Sequence, residues 1–84
     1  MSTIKVQADR HTLRGARARL DMTQDELARA AGISRLALVQ CERGTVAPHR
    51  STLDAIQTAL EARGIVFTNG DKPGFYFDKD KVAI

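Results

Sequence analysis

Eight arginines lie in the first 50 residues: Arg10, Arg14, Arg17, Arg19, Arg29, Arg35, Arg43 and Arg50. Each guanidinium is a planar fork of donors that can grip phosphate oxygens two at a time. With Lys5 they set nine basic side chains against five acids, a balance of +4, whereas residues 51–84 carry four against five, or −1. Such a concentration of forks suits a polyanion, and it equally suits helices whose outer faces are simply solvated. Charge alone leaves both readings open. Arg35 and Gln40 have a further capacity, because arginine can pair with O6 and N7 of guanine and glutamine with the donor and acceptor of adenine.

Other chemistries have little to build on. Cys41 is the single cysteine, so no internal disulfide exists, and its place in a helical pattern favours an inward-facing, unreactive thiol. His11 and His49 lack metal-ligand spacing to each other or to carboxylates, and neither a phosphate-binding loop nor a zinc pattern is present. The expectation is a chain that is not an enzyme and takes no cofactor or metal.

The elements that must carry the arginines follow from periodicity and capping. Leu13, Ala16 and Leu20 recur at helical spacing over residues 11–20, behind Asp9 as a cap. Thr23-Gln24-Asp25-Glu26 is a capping box, which starts a second helix through Leu27, Ala28 and Ala31 to Gly32. Ser34 caps a third helix with Leu38 and Cys41 inward, ending at Gly44. After a loop over residues 45–50, Ser51-Thr52-Leu53-Asp54 offers a fourth start, and Leu53, Ile56, Ala59 and Leu60 mark an amphipathic helix up to Gly64.

Beyond Gly64 the pattern changes. Ile65-Val66-Phe67-Thr68 and Phe75-Tyr76-Phe77 are strand-like and flank turn chemistry at residues 69–74, which predicts a short hairpin. It holds every aromatic residue of the chain, so it must bury area somewhere. Two surfaces are open to it, the core of its own chain or the same hairpin of a second copy, with Phe67, Phe75 and Phe77 as the dimerisation candidates. Ile4 and Val6 alternate in residues 1–9, an N-terminal arm that is either a short strand or a frayed end.

The segment TQDELARAAGISRLALVQCE, residues 23–42, is the most informative. Two short helices crossing steeply need a small residue at their contact, a permissive residue at the turn and buried aliphatics beyond it. Ala28, Gly32, Ile33 and Leu38 meet those needs. Through Thr23-Gln24, Glu26-Leu27-Ala28, Gly32-Ile33-Ser34, Leu38, Glu42 and Gly44 the sequence resembles the helix-turn-helix of the phage-repressor and Cro-like (lambda-repressor-like) regulators. The resemblance covers residues 10–64, with Leu13-Arg14, Ala16-Arg17 and the helix from Leu53 to Leu60 fitting the flanking helices.

That resemblance implies a mainly α fold: a compact four-helix bundle, here followed by a β-hairpin and tail over residues 65–84. It also implies a transcriptional regulator whose third helix enters the major groove of double-stranded DNA, with Ser34, Arg35, Leu36, Val39 and Gln40 facing the bases. Gln24 falls at the family position that anchors a phosphate, the alternative being a solvated helix start. Arg10, Arg14, Arg17, Arg43 and Arg50 are further phosphate candidates, the alternative being pairs with neighbouring acids. Glu42 is expected to face the bundle and pair with an arginine of the first helix. Leu36 and Val39 depart from the polar character of a reading face; they suit thymine methyl groups, or another protein, such as the toxin held by an antitoxin, the third alternative being incidental exposure.

Size constrains the assembly. Eighty-four residues, 43% of them apolar and 27% charged, make one globular domain with a small core. A core of this size supplies about 3–5 kcal/mol, so a homodimer, and with it a two-fold symmetric site, is the expected functional unit. No apolar run reaches the roughly 20 residues of a membrane span, and residues 1–7 lack a signal-peptide core, so the expected location is cytoplasmic.

Overall fold

A computed structural model describes residues 7–68 and 73–83. The expected strand at Ile4 and Val6, and most of the hairpin turn, lie outside the described residues. Four helices, α1 (Arg10–Arg19), α2 (Gln24–Ala31), α3 (Arg35–Arg43) and α4 (Arg50–Glu61), precede two strands, β1 (Arg63–Thr68) and β2 (Gly74–Val82).

Three helices start where their local chemistry dictates. Asp9 accepts from the Thr12 amide at 2.8 Å, and Ser34 Oγ from the Ala37 amide at 3.0 Å. At α2 both bonds of the box are made: Thr23 Oγ accepts from the Glu26 amide at 3.0 Å, and the Thr23 amide donates to Glu26 at 2.8 Å. Gly32 ends α2 at φ +71°, a left-handed turn at which a side chain would be strained, and Ile33 follows with its amide on the Ala28 carbonyl.

The fourth helix differs from expectation at both ends. It begins at Arg50, with His49 as an N-cap that makes no side-chain bond, so Ser51–Asp54 lie inside the helix. His49 is extended, and its carbonyl already accepts from the Thr52 and Leu53 amides, which starts the helix before Ser51 can cap it. It ends at Glu61, and Gly64 is not its stop but a residue of β1 with φ +97°. A methyl group at Gly64 would stand 2.8 Å from both the Asp78 carbonyl oxygen and Phe77 Cε1. Close approach of the second strand is what requires glycine there.

The hairpin is antiparallel, pairing Ile65 with Phe77, Val66 with Tyr76 and Phe67 with Phe75. The second strand runs further than its aromatic core, to Val82, which pairs with Arg63. Between those pairs Gly64 alone faces Asp78–Lys81, a bulge in which the Asp80 amide donates to the Asp78 carboxylate at 3.0 Å. Local propensity has no signal for this return to the ladder across a charged run.

One core joins helices and hairpin: Leu13, Ala16, Leu27, Ala28, Leu38, Cys41, Ile56, Leu60, Ile65 and Phe67 are all buried in it. Phe75 and Phe77 pack half-buried against it, Phe75 beside Gly15 of α1 and Phe77 under the Arg19 guanidinium, 4.7 Å from its ring centre. Phe67, expected among the residues that join two copies, therefore lies in the core of its own chain, because alternation turns it inward with Ile65. Gln57 is also buried; its side-chain oxygen accepts from the Ala8 amide at 3.1 Å and anchors the chain just before α1.

Candidate nucleic-acid interface

The capping box of α2 and the serine cap of α3 place two helix starts at the outer surface, joined by the tight turn at Gly32. The box satisfies the amides of Thr23 and Glu26, and helix geometry leaves those of Gln24 and Asp25 without an intrahelical partner. Those two amides can donate to an anion, in a first turn that also carries the Asp25 and Glu26 carboxylates.

Leu38, Cys41 and Glu42 form the buried side of α3. The helical period then turns Arg35, Leu36 and Arg43 to solvent, with Val39 and Gln40 half-buried beside them, while Ser34 is exposed as the cap at the helix end. Four of the five expected base-facing residues thus share the outward side of one helix, and the fifth, Ser34, caps its start. Leu36 is 64% exposed, next to the half-buried Val39.

Glu42 ties the last turn of α3 to the start of α2 and to α1. It is 4% exposed, and its oxygens accept from Arg17 Nε at 2.7 Å, Arg17 Nη2 at 2.9 Å and Gln24 Nε2 at 3.0 Å. Arg17 Nη1 donates to the Met22 carbonyl at 2.9 Å, and Arg10 reaches the Glu42 carbonyl at 3.0 Å. The expectation of Glu42 as an inward pairing residue is met, with Arg17 as its partner. Arg17, expected to meet a phosphate, is instead committed to this cluster, since a buried carboxylate must be paired to remain ionised. Gln24 keeps its place at the start of α2, with its amide oriented by Glu42.

Arg14, Arg43 and Arg50, also expected at phosphates, are exposed. Arg43 stands in the last turn of α3 and Arg50 is the first residue of α4, on either side of the connecting loop. Arg14 lies on the outer side of α1, 3.5 Å from His11 Nδ1. Arg35 is not alone: its Nε lies 3.3 Å from Asp25 Oδ1, with both side chains about two-thirds exposed (65% and 67%). Sequence reading placed Asp25 in the capping box and assigned it nothing more; its position two residues into α2, opposite the start of α3, was the available signal. Val46 was likewise read only as loop, and it is 51% exposed.

Electrostatics elsewhere follow from local bonds. Amide donation from Thr12 holds the Asp9 carboxyl below the usual range, and that from Thr23 does the same for Glu26. Burial, with Glu42 next to it, pushes the Cys41 thiol up, consistent with an unreactive core residue. Among the described residues no group of His, Cys, Asp and Glu is arranged to hold a metal ion, and no helix is long and apolar enough to cross a membrane.

No curated protein matches the chain. The family model described as a helix-turn-helix domain matches residues 10–65, the span from the start of α1 into β1 that carries the cluster around Glu42 and the outward face of α3. The chain belongs to the helix-turn-helix domain family, a family of DNA-binding regulators.

Proposed function

We propose that this chain is a sequence-specific transcriptional regulator of the phage-repressor and Cro-like type, which binds duplex DNA as a homodimer and represses by excluding polymerase from its site. The outward face of α3 carries the reading: Arg35, Leu36, Val39 and Gln40 stand together, with Ser34 at the cap, on a helix that Glu42 ties to the start of α2. Arg35 supplies the fork for guanine, Gln40 the amide for adenine, and Leu36 and Val39 the apolar surface for thymine methyl groups. The Gln24 end of α2, with Arg14, Arg43 and Arg50, supplies phosphate contacts that set register without reading sequence. One unit covers a half-site, and a second copy one helical turn away, about 34–36 Å, completes a two-fold site.

Selection from a randomised duplex library, at low and near-physiological salt, tests this. A two-fold symmetric site supports the reader and its dimer together. Binding without sequence preference at either salt concentration refutes it. The 64% exposure of Leu36 favours a second reading, in which the same face holds a protein, as in an antitoxin. That interface would respond to Leu36→Ala and hardly to salt, whereas DNA binding weakens steeply with salt.

A further inference from the structure

The pair between Asp25 and Arg35 has no evident purpose in the fold. Both side chains are about two-thirds exposed, at 67% and 65%, and an ion pair so open to water adds little to stability. Its location is informative. Asp25 is the second residue of α2 and Arg35 the first of α3, so the contact bridges the two helices at the outer surface where the reading face begins.

The geometry also has a direction. Asp25 Oδ1 meets Arg35 at Nε, 3.3 Å away, on the side of the guanidinium. The two terminal nitrogens are left as a free fork, the edge that matches O6 and N7 of guanine. A long arginine side chain loses considerable rotamer freedom when it is fixed on a base, and a partner that already restrains it reduces that loss. A carboxylate this close to incoming phosphates has a second effect. It repels any duplex on which Arg35 finds no acceptor, which raises discrimination while lowering indiscriminate affinity.

We propose that Asp25 is a positioning residue that sets base preference: it holds the Arg35 fork toward guanine and penalises sites that lack one. This rests on the reading of α3 as the base-reading helix. The experiment measures the parent chain, Asp25→Asn, Arg35→Ala and the double variant against duplexes varied one base pair at a time, with circular dichroism confirming that each is folded. Arg35→Ala identifies the guanine position as the one whose preference it removes, a discrimination of about 5- to 150-fold for a two-bond arginine contact. Asp25→Asn is expected to reduce preference at that position by about two- to fivefold, the range an exposed ion pair can supply, leave the other positions unchanged and strengthen binding to unrelated duplex. On the Arg35→Ala background it should change no base preference.

Preference that Arg35→Ala abolishes and Asp25→Asn leaves intact overturns the role of Asp25 alone. An equal loss across all sequences on Asp25→Asn, or a shift in preference that persists without Arg35, overturns it also. A parent chain with no base preference overturns the reading of α3, and the role of Asp25 falls with it.

Discussion

Replacing Glu42 by alanine should nearly unfold this protein, although the residue touches no proposed ligand. The carboxylate is 4% exposed and takes three donors, two from an Arg17 side chain that is itself only 19% exposed. Glu42→Ala leaves the Arg17 guanidinium charged and half-partnered in a buried site, and breaking such a pair costs about 3–5 kcal/mol. The core of a domain this small supplies about 3–5 kcal/mol in all, so the variant should be largely unfolded at room temperature. Each 1 kcal/mol moves Tm by about 4–8 °C at this size, and a drop of at least about 12 °C is expected. Thermal and urea melts followed by far-UV circular dichroism provide the assay. The double variant R17M/E42L removes both charges and should melt well above Glu42→Ala, because it leaves no orphaned ion. Glu42→Ala within about 1 kcal/mol of the parent would refute the reasoning, as would a double variant no better than the single one.

Acid should weaken the protein through Asp9. Its folded pKa lies below the ordinary aspartate value of about 3.9, so the cap's contribution is complete above that pH and disappears as pH falls through the folded value. Urea midpoints taken from about pH 6 to about pH 3 should fall less steeply in Asp9→Asn than in the parent. Gly64→Ala forces a side chain to φ +97° and into the Asp78 carbonyl, and should cost more than about 1 kcal/mol by urea titration. Alanine at Arg43 or Arg50 should each make the salt dependence of duplex binding shallower by about 0.9 log units per log unit of salt and per protomer, without altering base preference.

The helix starts at Asp9, Thr23 and Ser34 were legible because a cap and the amide it accepts lie within three residues of each other. The outward face of α3 was legible for a similar reason, since Leu38 and Cys41 fix which side is buried. Pairing between distant residues was less so. Glu42 was expected to find an arginine of the first helix, but Arg14 and Arg17 are one turn apart and only packing decides which faces inward. Gln57 sits in the apolar face of α4 as an exception to its pattern, and its partner, the Ala8 amide, is 49 residues away. The end of β2 was hidden because Asp78–Lys81 reads as a solvated tail; its return at Val82 depends on a glycine in the other strand.

That bulge bears on how two copies can meet. A two-stranded sheet has two open edges, each a template on which another chain can add a strand, and such edges invite fibrous association unless they are spoiled. Here a bulge interrupts the ladder in the far half of β2, which carries alternating aspartates and lysines, two devices that discourage a neighbour from zipping along it. Only the stretch from Gly74 to Phe77 keeps a regular edge on that strand. A dimer built by strand addition on β2 is thereby limited to a short, self-terminating seam, which closes a pair and stops.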